Sequence, residues 1–160
     1  MLFHYTKKNI LIYFIIIVGI YLKLHDLNTE DFWWDEMLSF WVSNPEISYS
    51  QTINRNIEVN LGSQLIFSLI LKLFFNLFGY EPNFARYLTV FFGILNIFLL
   101  IVLTKKLNFE KSLELILFLF LFNSYLISYD NELRSYSLVV SLSLLSFIYF
   151  ANFNYEKKLF

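Results

Sequence analysis

Two acidic residues follow a pair of tryptophans directly, in the order Trp33, Trp34, Asp35 and Glu36. Tryptophan is enriched where a membrane meets water, so this order predicts two carboxylates at a membrane surface. Burial against aromatic rings raises the pKa of a carboxyl group and nearby cations lower it. In either environment the group could act as a general base. The alternative is a helix start, because the helix dipole favours acidic residues in the first turn.

Glu58 and Arg86 stand on either side of a long apolar stretch. The Arg86 guanidinium could bind a phosphate, because its planar fork donates two parallel hydrogen bonds. The alternative is an interfacial arginine whose stem lies along lipid while its charge reaches water. For Glu58, spacing alone favours helix capping or simple solvation over a place in a site.

A third polar cluster, residues 129–136, separates two apolar stretches and contains Asp130, Glu132, Arg134 and Tyr136. Charged side chains at membrane depth are costly and often functional. Asp130 and Arg134 are also four residues apart, which is the spacing of an ion pair along one helix. The serines that follow this cluster are predicted to be helix-packing positions, because small residues let membrane helices approach closely.

The composition indicates a chain whose solvent is largely lipid. Of the 160 residues, 58% are hydrophobic, whereas soluble domains contain about 45–50% apolar residues. The net charge of −1 argues against a nucleic-acid partner, which would require a basic surface. The absence of cysteine excludes disulfides and thiolate metal sites.

The apolar stretches predict an all-α polytopic membrane protein with about four transmembrane helices, since a span needs about 20 apolar residues. The first stretch has no cleavage site after it, so it is interpreted as an uncleaved anchor. Lysines at both chain ends and between the second and third spans place these segments in the cytoplasm. The predicted spans are residues 9–24, 84–104, 112–129 and 134–154.

The remaining apolar stretch, residues 61–79, is predicted to lie in the membrane interface rather than to cross it. Polar residues recur there every four positions, at Gln64, Ser68, Lys72, Asn76 and Tyr80. This spacing is typical of an amphipathic helix. The alternative is a spanning helix whose polar stripe packs within a bundle. Residues 25–60 then form an external acidic loop with a short surface helix at 35–43.

Taken in order, these segments resemble the start of the GT-C glycosyltransferases, specifically the protein mannosyltransferase and aminoarabinose transferase group. The resemblance rests on an acidic pair after the first span (Asp35-Glu36), an acidic residue before an interfacial helix (Glu58), an arginine opening the next span (Arg86) and a Glu-Leu-Arg-Ser-Tyr segment (132–136). It covers nearly the whole chain, as a single truncated membrane domain. Since family enzymes have many more spans, the chain is expected to be an N-terminal piece.

The resemblance implies transfer of a sugar from a polyprenyl-phosphate donor to a lipid, glycan or protein acceptor outside the cytoplasm, in a bacterial inner membrane. Asp35 would be the general base. The implied ligands of a divalent cation (Mg²⁺ or Mn²⁺), or second acids, are Glu36, Glu58 and Glu132. The implied substrate and phosphate ligands are Arg86, Arg134 and Tyr136.

Two other functions stay open at this level. The chain could be a small non-catalytic polytopic protein, a truncated remnant or a helix-packing partner in a membrane complex, with its acidic loop as a binding surface. It could also be a transporter-like fragment in which the 129–136 cluster forms an ion path, although the spans lack central charges.

Overall fold

The structure, a computed structural model, describes residues 7–25, 27 and 29–157. These residues form helices and no strand, so the predicted all-α class is confirmed. In chain order the helices are α1 (Lys7–Leu24), α2 (Trp34–Val42), α3 (Tyr49–Asn60), α4 (Leu65–Phe78), α5 (Pro82–Ala85), α6 (Tyr87–Lys106), a short 3-10 helix (Glu110–Ser112), α7 (Leu113–Leu121), α8 (Ser124–Asn131) and α9 (Tyr136–Lys157).

The long apolar helices pack as a bundle around α6, which contacts α1, α7, α8 and above all α9. One core cluster joins α1, α6 and α7 through buried aliphatic side chains such as Ile15, Ile97 and Leu117. Gly19 of α1 permits close packing, because a Cβ there would lie 2.8 Å from a methyl group of Leu121.

Helices α2 to α5 form a layer at one end of the bundle. A second core cluster joins α4 to the starts of α6 and α9, with Phe67, Leu71 and Phe75 of α4 buried against Leu88 and Leu133. The aromatic ring of Phe40 in α2 packs on this cluster and stacks on Tyr80 with 4.1 Å between ring centroids. This layer therefore places the start of α2 beside the segment between α8 and α9.

Helix α3 was not predicted by the sequence, which has few apolar residues at this point. It begins at a capping box in which the Ser48 hydroxyl accepts a hydrogen bond from Gln51 N–H and the Gln51 side chain accepts one from Ser48 N–H. Such reciprocal bonds satisfy free N–H groups at a helix start. The helix ends where Leu61 and Gly62 adopt positive φ angles of 50° and 78°, so the local start and stop signals define it.

The first part of the polar stripe of α4 faces protein, whereas Asn76 further along the stripe is exposed. Ser68 and Lys72 are buried, and the Lys72 ammonium donates hydrogen bonds to the carbonyl oxygens of Asn44, Pro45 and Ile47 at 2.6, 3.2 and 2.6 Å. The opposite face exposes apolar side chains. The amphipathic pattern is thus used to dock α4 on the segment between α2 and α3.

One helical stretch in the described part of the chain, Pro82–Lys106, is long and apolar enough to cross a membrane. A second crossing is formed if Glu110–Leu121 and Ser124–Asn131, bent by 58° at their junction, count as one broken span. The stretches Asn9–Leu24, Leu65–Phe78 and Tyr136–Ala151 are apolar but shorter. The support for membrane association is therefore one or two helical stretches of sufficient length and apolarity. The arrangement of four spans stays a prediction.

Candidate functional site

A polar cavity lies between the start of α2 and the segment that joins α8 to α9. Its volume is about 300 Å³. A second cavity of about 190 Å³ adjoins it and shares three of its lining residues. The first cavity is lined by Trp33, Trp34, Asp35, Glu36, Glu132 and Arg134. Two sequence-distant segments that the resemblance singled out are thus brought together in space.

Glu36 forms the floor of this cavity and is almost fully buried, with 1% of its surface exposed. One carboxylate oxygen accepts from Arg86 Nε at 2.9 Å and from the Leu133 N–H at 2.7 Å. The other accepts from Arg86 Nη2 at 2.8 Å and from the Trp33 N–H at 3.0 Å. Four N–H donors, two of them on the Arg86 guanidinium, occupy the lone pairs that a metal ion would need.

Arg86 completes this arrangement from the junction of α5 and α6, where it is 5% exposed. In addition to its bidentate pair with Glu36, its Nη atoms donate to the carbonyl oxygens of Leu27, Glu30 and Asp31 at 2.9, 2.8 and 3.2 Å. All five guanidinium N–H groups therefore have protein acceptors. This geometry favours a structural role over the predicted phosphate contact, because a phosphate would have to displace one of these bonds.

Asp35 and Arg134 face the open side of the cavity. The Asp35 side chain is 62% exposed, and its carboxylate lies 3.7 Å from Nη2 of Arg134. The Arg134 Nη1 also donates to the Asp35 carbonyl oxygen at 3.3 Å. The buried Gln64 amide lies behind Arg134. With its oxygen turned towards the guanidinium, it accepts from Nη2 at 2.5 Å and from Nη1 and Nε at 3.0 Å. Arg134 thus brings a positive charge to the cavity, and the Asp35 carboxylate lies 3.7 Å from it.

Glu132 lies between the two cavities and lines both. Burial raises the pKa of the Glu132 carboxyl above its ordinary value of 4.5. A hydrogen bond from the Ser128 hydroxyl and the charge of Arg134 oppose the shift, while the carboxylates of Glu36 and Asp35 add to it. A carboxyl with a raised pKa is a stronger base when ionised, so Glu132 is suited to proton transfer.

Two predicted site residues line neither of these cavities. Glu58 is exposed near the end of α3, and Tyr136 is the first residue of α9, where its ring lies 4.5 Å from that of Tyr129. Among the described residues, no group of three or more acidic or histidine side chains is arranged to hold a metal ion. The divalent cation stays a prediction. Of its three predicted ligands, Glu36 is engaged by N–H donors, Glu58 lies away from the cavities and Glu132 lines both of them.

The helical ion pair considered for Asp130 and Arg134 does not form, because α8 ends at Asn131 and Arg134 lies beyond it. Asp130 instead pairs with Lys23 of α1 and accepts a hydrogen bond from the Ser137 hydroxyl at 2.5 Å. Its carboxylate occupies the space above Gly93, where an added Cβ would lie 2.5 Å from it. Helices α1, α6, α8 and α9 therefore meet at this buried pair, which sequence reasoning missed.

The serines predicted to be packing positions are also partners in hydrogen bonds. Ser141 donates to the Asn96 side-chain oxygen at 2.6 Å, and Asn96 donates to the Ser137 carbonyl oxygen at 3.0 Å. These bonds join α6 to α9 next to the Lys23–Asp130 pair. Polar contacts of this kind hold helices together where no water competes for them.

Comparison of the chain with protein-family models, with curated proteins and with solved structures found no match.

Proposed function

We propose that the chain is the N-terminal part of a GT-C membrane glycosyltransferase that transfers a sugar from a polyprenyl-phosphate donor to an acceptor on the extracytoplasmic side. The observation that carries this proposal is the cavity in which Asp35, Glu132 and Arg134 meet. These residues come from two segments far apart in the sequence, and two exposed tryptophans flank them. The reaction requires a general base and a positive charge near the leaving phosphate. Asp35 supplies the base and the Arg134 guanidinium the charge, with Glu132 as a second carboxylate in the same cavity.

The chemistry assigns each group a task. Asp35 accepts the proton of the acceptor hydroxyl, whose oxygen then bonds to the anomeric carbon of the sugar. The bond between that carbon and the phosphate oxygen breaks, and the phosphate leaves with the bonding electron pair. Arg134 stabilises the negative charge on the departing phosphate. Arg86, whose donors are occupied, acts behind the site rather than on the phosphate.

A divalent cation fits Glu132 better than it fits Glu36. Mg²⁺ and Mn²⁺ prefer oxygen ligands, and Glu132 lines the cavity with one hydrogen bond, from the Ser128 hydroxyl. Glu36 has its oxygens engaged by four N–H donors. When bound, such a cation would supply further positive charge for the leaving phosphate.

In this proposal the chain crosses a bacterial inner membrane four times, through α1, α5–α6, α7–α8 and α9. Both termini lie in the cytoplasm. Helix α4 lies in the interface, with its buried polar stripe on the α2–α3 layer and its exposed apolar face towards lipid. Exposed side chains on that face include Ile66, Leu73 and Phe78. The cavity then opens at the outer surface, where lipid-linked donors present their headgroups.

The catalytic test compares Asp35→Asn with Glu46→Gln, which removes an exposed carboxylate outside the cavity. Membranes containing each variant, carried by the whole enzyme of which the chain is proposed to be a part, would be incubated with a panel of radiolabelled polyprenyl-phosphate sugars. Transfer to membrane acceptors would then be counted. We expect loss of transfer for Asp35→Asn and wild-type transfer for Glu46→Gln. Unchanged transfer by Asp35→Asn would remove Asp35 from the proposed role.

The topological test uses the absence of native cysteine, because each introduced cysteine can then be labelled alone. An impermeant maleimide applied to intact cells should label Glu46→Cys and leave Lys111→Cys unlabelled. Labelling of Lys111→Cys from outside would place the two loops on one side and contradict the proposed topology. If transfer is also absent, a non-catalytic helix-packing protein becomes the better description.

A further inference from the structure

The Glu36–Arg86 pair connects three separate parts of the chain. Arg86 binds the carbonyl oxygens of residues 27, 30 and 31, which precede α2. Glu36 binds the backbone N–H groups of Trp33, at the start of α2, and of Leu133, between α8 and α9. The two side chains thus tie the segment before α2, the start of α2 and the α8–α9 connection to the beginning of α6.

Stability alone is a weak explanation for such a pair. Removing two charges from water costs several kcal/mol per ion, and apolar residues of similar size are often as stabilising. Arg86 and Glu36, however, have fixed orientations, since every guanidinium N–H and both carboxylate oxygens have partners. A bidentate pair with this many directional bonds determines geometry more narrowly than apolar packing does.

That geometry bears directly on the cavity. Asp35 is the neighbour of Glu36 in sequence, and Glu132 and Arg134 are the neighbours of Leu133. The hydrogen bond of 2.7 Å from Leu133 N–H to Glu36 therefore joins the two cavity walls. The bond from Arg134 to the Asp35 carbonyl oxygen lies next to it.

We infer that Glu36 and Arg86 are positioning residues that set the separation of Asp35 from Glu132 and Arg134 across the cavity. The catalytic consequence of this positioning rests on the proposed function, whereas the geometric consequence does not. A displacement of about 1 Å between reacting groups can lower a rate by about 100-fold. The pair thus acts through the other residues and has no contact with the substrate.

The geometric test measures the distance between nitroxide labels on exposed positions of α2 and α9, at Met37→Cys and Val139→Cys. Pulsed electron paramagnetic resonance would be recorded for the full chain and for Glu36→Gln, Arg86→Lys and Glu36→Met/Arg86→Met. The double variant removes both buried charges at once and is therefore the variant most certain to fold. Glu46→Gln and Glu58→Gln, which remove exposed carboxylates outside the cavity, are the matched controls.

We expect a narrow distance distribution for the wild type and both controls, and a broadened or shifted one for each folded variant of the pair. An unchanged narrow distribution in the folded double variant would overturn the inference. Where transfer is measurable, kcat should fall by up to about 100-fold, while KM for the donor changes little. If the variants of the Glu36–Arg86 pair broaden the distance distribution but Asp35→Asn transfers sugar as the wild type does, the geometric role is supported and the proposed function is rejected.

Discussion

The buried pair between Lys23 and Asp130 allows a quantitative prediction that does not depend on the reaction. Lys23 is 0% exposed and Asp130 is 5% exposed. Lys23→Met removes the ammonium group. Among the described residues, the Ser137 hydroxyl then stays as the hydrogen-bond donor to the Asp130 carboxylate. Removal of one partner from a buried pair costs about 3–5 kcal/mol, because the other charge stays buried without compensation.

The double variant Lys23→Met/Asp130→Asn separates this effect from lost packing. The amide oxygen that this variant carries at position 130 can still accept from Ser137, and no net charge remains buried. We therefore expect the double variant to be much less destabilised than the sum of the two single variants, because neutral replacement of a buried pair is often harmless.

The assay is a double-mutant cycle of reversible unfolding in mixed micelles, in which SDS is titrated against a mild detergent. We expect a coupling energy between Lys23 and Asp130 of about 2 kcal/mol or more, which lies in the range found for residues of one network. Single variants that cost less than about 1 kcal/mol, the value of an exposed ion pair, would refute the burial argument. Additive single effects would refute the pairing itself.

Three further predictions follow from buried groups and use the same unfolding assay. Gly93→Ala should lower the free energy of unfolding by about 1–3 kcal/mol through overpacking, since its Cβ would lie 2.5 Å from the Asp130 carboxylate. Combining Gly93→Ala with Asp130→Ala and Lys23→Met should relieve most of that cost. Lys72→Met should cost about 1.5–3 kcal/mol, the value of hydrogen bonds to a charged group, whereas the exposed Lys105→Met should be neutral. Because burial raises the pKa of Glu132 above 4.5, the folded chain binds that proton more tightly than the unfolded chain. Stability should therefore fall as pH rises from the ordinary to the raised pKa, and Glu132→Gln should remove this decline.

Local features of the structure were accessible from the sequence. Periodic apolar runs predict helices at the positions of α1, α4, α6 and α9, because backbone hydrogen bonding and side-chain spacing depend on neighbouring residues. The first turn of α2 carries Asp35 and Glu36, as the helix-dipole alternative expects. Helix α3 was missed, since its signal is a capping box within a polar segment rather than an apolar face.

The partners of the charged residues were not accessible in the same way. Arg86 could equally have faced a phosphate, water or a carboxylate, and only the packing of α2 against the start of α6 brings Glu36 to it, 50 positions away. The partner of Gln64 was equally inaccessible from the sequence. This residue belongs to the polar stripe, and its side chain lies against Arg134. Periodicity predicts a polar face without naming what that face meets.

The sequence by itself determined that the chain is helical, strongly apolar and punctuated by charged segments between its apolar runs. The tertiary structure alone decided that Lys23 neutralises Asp130 across 107 positions, that Glu36 and Arg86 saturate each other, and that Asp35, Glu132 and Arg134 share a cavity. The reason is that a buried charge takes as partner whichever group the packing brings within hydrogen-bond reach, and that packing is the joint result of every helix in the fold.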